Sequence, residues 1–207
     1  KGSLYNPMRM WINDFDNNGT IEQIMTQYYN KGNYPLHMKK ELTNQIVKLK
    51  KDNLKANDYA SRTINQLFDQ NILDNSIVKE LNYTKTIVAE NLGNFQFNII
   101  DLPNQVQFSC VIDIETIDLN GDGFLDIVMG GNNYEFKPQY SRMDSNYGTV
   151  LINNGNMNFK WLDYTKSGFF IKDEIKHLKS LENINGDKLI ITAINNNKPK
   201  IFQINEN

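Results

Sequence analysis

The segment 118–126, Asp-Leu-Asn-Gly-Asp-Gly-Phe-Leu-Asp, constrains this chain most because its oxygen-bearing side chains have the spacing of a cation-binding loop. Asp118, Asn120, Asp122 and Asp126 stand at loop positions 1, 3, 5 and 9, and the carbonyl of Phe124 at position 7 adds another oxygen. The two glycines of the loop permit the sharp turns that point successive oxygens inward. Clustered carboxylates repel one another unless a cation neutralises them. An all-oxygen ligand set favours calcium over zinc, and over magnesium, which retains more water.

The residues after this loop predict a strand. A calcium loop between two helices requires a glutamate at position 12 and a following helix. Here position 12 is Met129, and the apolar run Ile127-Val128-Met129 ends at Gly130-Gly131, which is typical of a short strand and a turn. The loop is therefore expected to connect two strands.

The same pattern occurs a second time, at residues 14–22. Asp14, Asp16, Asn18 and Glu22 occupy positions 1, 3, 5 and 9, with the carbonyl of Thr20 at position 7. The β-branched and aromatic residues that follow predict another strand, so the chain is expected to contain a structural repeat. The segment 118–126 is predicted to be the stronger site because the counterpart of Asp122 is neutral. The alternative for both loops is a metal-free hairpin turn rich in Asn, Asp and Gly.

The rest of the chain is predicted to be mainly β, with an α-helical insertion. Apolar residues between positions 36 and 81 recur at helical spacing, and these helices are expected to pack outside the sheets. The turn at 182–187 loses the ligand spacing, so no calcium is expected there. The chain is predicted to form a single propeller-like domain over 1–207. Its first blade comprises 1–35 plus 83–105 and is interrupted by a helical insertion at 36–82. A second blade at 106–167 and a degenerate third blade at 168–207 follow.

The paired loops, each leading into a strand, resemble the FG-GAP/VCBS repeats that form β-propeller blades. The similarity extends over most of the chain to the C-terminal part of bacterial VCBS-repeat proteins of the ASPIC/UnbV-associated type, common in Bacteroidetes. The further residues that carry it are Tyr34-Pro35-Leu36, Asp58-Tyr59-Ala60 with Thr63-Ile64 and Phe68, Gln107-Phe108-Ser109, Gly131-Asn132 with Tyr134, Pro138, and Arg142-Met143-Asp144 with Tyr147-Gly148.

This resemblance implies a propeller fold of about three blades, and a structural calcium ion in each loop. It also implies a bacterial protein of the cell surface or periplasm, and the abrupt start at Lys1 favours a segment of a longer exported chain. Three blades are fewer than a closed propeller usually has. Further blades of a longer chain, or a partner subunit, are therefore expected to cover the open edge.

Composition separates the candidate functions. The net charge of −2 and the pI near 5.7 give no indication of nucleic-acid binding, and no apolar stretch approaches the ~20 residues that a transmembrane helix needs. The leading prediction is a non-catalytic scaffold that recognises a protein or a glycan. The alternative is a hydrolase acting on polysaccharide or phosphoester, but two scattered histidines and one cysteine offer few catalytic groups.

The polar, aromatic segment 132–148 allows two interpretations. Its tyrosines and polar groups can bind a sugar or a peptide by stacking and hydrogen bonding. The preferred interpretation is structural: Arg142 and Asp144 form an ion pair that braces a long loop, and the tyrosines cap the sheet.

Overall fold

Alternating apolar and polar residues form strands through most of the chain, and these strands lie in antiparallel sheets. The computed structural model describes residues 2–137 and 140–205, so Pro138 lies outside the described residues. Contacts divide the chain into two compact units, Lys1–Thr84 and Lys85–Asn207, where the sequence predicted a single domain. Each unit buries hydrophobic clusters of its own, which is the physical basis of the division.

The first unit contains a four-stranded antiparallel sheet in the order β3-β2-β1-β4. Its strands are β1 (Met8–Asn13), β2 (Glu22–Tyr29), β3 (Gly32–Pro35) and β4 (Ile77–Leu81). On β2, the side chains of Glu22, Ile24 and Thr26 alternate with more exposed neighbours, so one face of the sheet is directed toward a core. Thr26 Oγ1 accepts a hydrogen bond from the indole N–H of Trp11 on β1 (3.0 Å).

Five short helices connect β3 to β4 and cover this face. They are α1 (Lys39–Gln45), α2 (Leu49–Asp52), α3 (Ala56–Ala60), α4 (Ile64–Leu67) and α5 (Gln70–Asp74). The helical character predicted for the insertion is confirmed for these segments. At the start of α4, the backbone N–H of Thr63 donates to the Gln66 side chain (2.9 Å), as in a capping box.

Two features of the insertion differ from the prediction. Its last part, Ile77–Leu81, is strand β4, which pairs with β1 from Met8↔Leu81 to Ile12↔Ile77. The helices and the residues that follow α1 and α4 also contribute most of the core of the unit: Leu42, Ile46, Leu49, Tyr59, Ile64, Phe68 and Leu73 pack with Phe15 and Ile24. The helices do lie outside the sheet, as expected, but they are part of the core of the unit, because the apolar face of the sheet needs these side chains to cover it.

The second unit contains three further sheets. A hairpin of β5 (Ile87–Gly93) and β6 (Gln96–Asp101) is followed by a 3₁₀ helix at Asn104–Phe108. A four-stranded meander follows in the order β10-β9-β8-β7, and then a three-stranded sheet in the order β11-β12-β13. These strands are β7 (Val111–Ile117), β8 (Asp126–Gly131), β9 (Thr149–Asn153), β10 (Phe159–Leu162), β11 (Ile175–Glu182), β12 (Lys188–Ile194) and β13 (Lys200–Gln203), with helix α6 (Tyr164–Ser167) after β10.

These sheets can be compared with the predicted blades. Strands β7 to β10 all fall within 106–167, and β11 to β13 within 168–207. The segment 83–105 does not complete the first sheet, since β5 and β6 pair only with each other. Strand β4, and not this hairpin, pairs with the edge of β1 in the first sheet.

Side chains of β7 join the last two sheets of the second unit. Asp113 accepts the backbone N–H of Leu178 (2.7 Å), and Glu115 accepts the N–H of Ser180 (3.1 Å). These donors lie on β11, the edge strand of its sheet. An edge N–H that would otherwise lack a strand partner is thereby satisfied by a carboxylate.

Candidate metal centre

Both predicted loops are hairpin connections with one geometry. The first joins β1 to β2 and the second joins β7 to β8, and they are equal in length, at 14–21 and 118–125. In each hairpin, the residue before loop position 1 pairs with position 9: Asn13 with Glu22, and Ile117 with Asp126. The prediction that each loop connects two strands is therefore confirmed.

Three hydrogen bonds also recur in both loops. The N–H of position 2 donates to the position 9 carboxylate, that of position 6 to the position 1 carboxylate, and that of position 7 to the position 5 side chain. In the first loop, these are Phe15 to Glu22 (3.0 Å), Gly19 to Asp14 (2.8 Å) and Thr20 to Asn18 (2.8 Å). In the second loop, they are Leu119 to Asp126, Gly123 to Asp118 and Phe124 to Asp122, each at 2.9 Å. The backbone of each loop is therefore folded around its own side-chain oxygens.

The first loop brings three carboxylates together. One oxygen each from Asp14, Asp16 and Glu22 lies within 4.8 Å of the other two, and Glu22 is buried. Such a group is the arrangement expected for ligands that share a single ion, because unneutralised carboxylates at this separation repel.

Asp16 carries the unpaired polar atom of this group. Its Oδ1 is buried and has no hydrogen-bond partner among the described residues. A buried carboxylate oxygen without a partner costs free energy unless a donor or a cation satisfies it. The oxygens of Asp14 accept N–H groups from Asn18 (3.0 Å) and Gly19 (2.8 Å). Each of these oxygens has a second lone pair available for a metal ion.

Thr20 takes part through its hydroxyl group. The sequence assigned its carbonyl as a ligand; in the structure its hydroxyl contacts the side-chain oxygen of Asn18 and lies 2.8 Å from Glu22 Oε1. The predicted ligands Asn18, Thr20 and Glu22 are thus linked to one another. The donor set is composed entirely of oxygens, which is the chemistry that calcium prefers.

The second loop arranges its carboxylates differently. Asp118, Asp122 and Asp126 form no comparable group within residues 2–137 and 140–205. Asp122 instead accepts from the side-chain amide of Asn120 (2.9 Å). The fully buried Asp126 accepts backbone N–H groups at both oxygens, from Leu119 (2.9 Å) and Asn153 (2.8 Å).

Asp118 is nevertheless held as an anion. Hydrogen bonds from the backbone N–H of Gly123, and then of Gly121, Asp122 and Asn120, lower the pKa of Asp118 below its ordinary value, although desolvation opposes this effect. N–H donors favour the charged form of the side chain. The backbone donors therefore favour the charged form of the side chain at position 1 of the second loop.

Asn153 is a site residue that the loop motif does not contain. It lies on β9, its N–H donates to Asp126, and its side-chain amide donates to the carbonyl of Leu125 (3.2 Å). It therefore anchors the end of the second loop from the neighbouring strand. In the sequence, Asn153 belongs to the run 153–156, whose composition predicts a turn. That composition does not predict a contact with Asp126 or Leu125.

Two further loops were singled out from the sequence. The turn between β11 and β12 is closed by hydrogen bonds between Asn183 and Asp187, including Asp187 N–H to Asn183 Oδ1 (2.9 Å). In the segment 132–148, the predicted pair of Arg142 and Asp144 is confirmed at 3.5 Å, and Arg142 also stacks on the ring of Tyr134 (3.7 Å). Both members of that pair are more than half exposed, so it contributes little to stability.

The main anchor of that loop is Asn132, which the sequence analysis missed. It is fully buried; its Oδ1 accepts from Ser109 Oγ (2.9 Å) and from the N–H of Asn146 (2.9 Å), and its amide donates to the Asn146 carbonyl (2.6 Å). An asparagine in a polar loop has no periodic signal that distinguishes a buried anchor from a solvated residue.

Comparisons of the chain with protein-family models, with curated proteins and with solved structures find no match. The similarity to VCBS repeats therefore depends on the motifs within this sequence. Among the described residues, no helix is both long enough and apolar enough to cross a bilayer.

Proposed function

We propose that this chain is a calcium-stabilised, non-catalytic recognition scaffold, whose sheets are blades of a partial VCBS-type β-propeller. The observation that carries the proposal is the carboxylate cluster of Asp14, Asp16 and Glu22 with its unpaired buried oxygen. A calcium ion would satisfy that oxygen and neutralise the cluster. In the second loop, the same cation would be held by Asp118, Asn120, Asp122, Asp126 and the Phe124 carbonyl.

The repeated register and the three repeated hydrogen bonds support the assignment of both loops to one structural repeat. Two of the antiparallel sheets have four strands, which is the number in a propeller blade. In this role calcium is structural: it fixes the connection between two strands of a sheet and leaves the exposed loops free to recognise a ligand. The proposed ligand is a protein or a glycan outside the cell or in the cell envelope, where calcium is abundant enough for sites of moderate affinity.

The experiment is thermal unfolding of the full chain in chelator, in calcium and in magnesium. A cation that binds only the folded state stabilises it by RT ln(1 + [L]/Kd), about 2.7 kcal/mol at a hundredfold excess over Kd. We expect calcium to raise the unfolding midpoint of the first unit, and magnesium to raise it less. A midpoint that is the same in chelator and in calcium would refute a structural role for the ion. No feature of the described residues favours the hydrolase alternative.

A further inference from the structure

The second unit contains a cleft that is separate from both candidate cation loops. It lies between the 3₁₀ helix at 104–108, the start of β9, and the segment from β10 into α6, and it has a volume of about 240 Å³. Binding pockets for drug-sized molecules usually measure about 300–1,000 Å³. A cleft of this size therefore suits a smaller ligand.

Aromatic rings form much of the cleft wall. Tyr164 contacts Trp161 edge-on at 5.4 Å between ring centroids and Tyr147 edge-on at 6.3 Å. Phe108 is 62% exposed and also lines the cleft. Phe108 therefore leaves an aromatic face open at a concave site, and aromatic surfaces of this kind stack on flat ligands.

Polar groups in the same cleft lack partners. Asn146 is only 4% exposed, and the N–H of Gly148 holds its Oδ1 in place (2.8 Å), yet its amide nitrogen donates no hydrogen bond to any described residue. The side chains of Gln105 and Ser145 likewise make no hydrogen bond within the described part of the chain. The Asn146 side chain has a fixed orientation and unused donors, so a ligand with hydroxyl or carbonyl acceptors would complement it.

The lining residues carry no charged side chain. A charged ligand would lose hydration here without gaining an ionic partner, which is unfavourable. A purely apolar ligand would leave the amides of Asn146 and Gln105 desolvated and unpaired, which is also unfavourable. A neutral ligand with both a flat apolar face and several hydroxyl groups satisfies both conditions.

We propose that this cleft binds one neutral sugar residue, stacked on the aromatic wall of Tyr147, Trp161 and Tyr164 and hydrogen-bonded to Asn146 and Gln105. The inference rests on the recognition part of the proposed function and names its ligand as a glycan, but it does not depend on either calcium loop. The aromatic wall supplies affinity for any pyranose face, whereas the two amides select the positions of the hydroxyl groups.

The test is isothermal titration of the full chain, in calcium buffer, with the methyl glycosides of glucose, galactose, mannose, xylose and N-acetylglucosamine. We expect at least one of them to bind in the millimolar range. Tyr164→Ala should weaken that binding at least tenfold, because it removes the ring at the centre of the wall. Gln105→Ala, which breaks no hydrogen bond of the fold, should weaken it about two- to tenfold.

Phe95→Ala is the matched control, since this aromatic residue of the same unit is 99% exposed and does not line the cleft. It should bind as the wild type does. Absence of binding by all five glycosides at tens of millimolar overturns the proposal. So does binding that Tyr164→Ala and Gln105→Ala leave unchanged, or binding of phenol in preference to every glycoside. Failure of the calcium proposal would appear separately, as unfolding that is insensitive to chelator while the sugar titration is unaffected.

Discussion

Asp16→Asn tests the electrostatic basis of the first loop. Asp16 Oδ1 is buried without a partner, and a carboxylate oxygen of Asp16 lies within 4.8 Å of one from Asp14 and one from Glu22. Replacing the carboxylate by an amide of the same shape removes two of the three repulsive pairs, and no hydrogen bond of the described structure is lost. Without a cation, the variant should therefore be more stable than the wild type.

The magnitude follows from Coulomb's law. Two like charges about 4 to 5 Å apart repel by about 1 kcal/mol in a fully aqueous dielectric, so the substitution should stabilise the first unit in chelator by about 2 kcal/mol at low salt. A change of 1 kcal/mol moves the midpoint of a domain of this size by roughly 4–8 °C. The expected rise is therefore roughly 8–16 °C, and added salt should reduce it.

The response to calcium should change in the opposite direction. At a calcium concentration of about a hundred times the wild-type Kd, the wild type gains about 2.7 kcal/mol, and a variant that binds tenfold more weakly gains about 1.4 kcal/mol. The assay is differential scanning calorimetry in chelator and in calcium, at low ionic strength. Asp58→Asn is the matched control, because Asp58 is exposed in the same unit and its side chain makes no hydrogen bond within the described residues.

Three results would contradict this reasoning. If Asp16→Asn lowers the midpoint in chelator, the carboxylates do not repel one another in the folded protein. If the variant keeps the full calcium shift, Asp16 is not a ligand. A rise of equal size in Asp58→Asn would show that the effect comes from net charge alone.

Three further outcomes are expected. Leu42→Ala, in the helical core, should cost about 2–5 kcal/mol of stability, whereas Val47→Ala, at an exposed position of the same segment, should cost little in the same denaturant titration. The hydroxyl of Ser180 lowers the pKa of Glu115 below its ordinary value. The ionised Glu115 carboxylate therefore contributes its full stabilisation above about pH 4.3, the ordinary pKa, and this stabilisation is lost as the pH falls through the lower folded-state pKa. Glu115→Gln should reduce this acid dependence of the unfolding midpoint of the second unit. An unchanged acid profile would contradict the prediction. Asn132→Ala should destabilise that unit by about 1–3 kcal/mol or more, since it leaves buried partners unsatisfied at a positive backbone φ of 78°; a cost near zero by chemical denaturation would show that the segment 132–148 is anchored elsewhere.

The sequence predicted the features of this fold that are encoded locally. The spacing of Asp, Asn and Gly determined which segments connect strands, and the structure gives both loops the same register. Strand β4 could not be predicted in this way. Its residues continue a helical pattern, and its conformation depends on pairing with β1, which lies far away in the sequence. The intrinsic β propensity of these residues is too weak to determine their conformation, which instead depends on pairing with the free edge of β1.

The helical insertion shows a second limit. Its 3.6-residue periodicity correctly indicated helices with one apolar face, but periodicity does not reveal what that face covers. A four-stranded sheet with Ile24 and Trp11 on one side requires a second layer to exclude water. Because Leu42, Ile64 and Leu73 supply that layer, removing the insertion should expose the sheet and abolish cooperative unfolding of the first unit.

The sequence predicts that the second loop is the stronger cation site, whereas the geometry at position 9 leads us to expect that the first loop is. Asp126 is short, and the N–H of Asn153 on the neighbouring strand takes one of its oxygens while that of Leu119 takes the other. Glu22 is longer by one methylene group: one oxygen accepts from Phe15, and the other reaches back to Thr20 within its own loop. The extra length therefore brings the carboxylate of Glu22 to Asp14 and Asp16, whereas Asp126 is held in the sheet. The charge at position 5 favoured the second loop, although each loop has three carboxylates. The position of the last carboxylate leads us to expect that calcium stabilises the first loop more strongly.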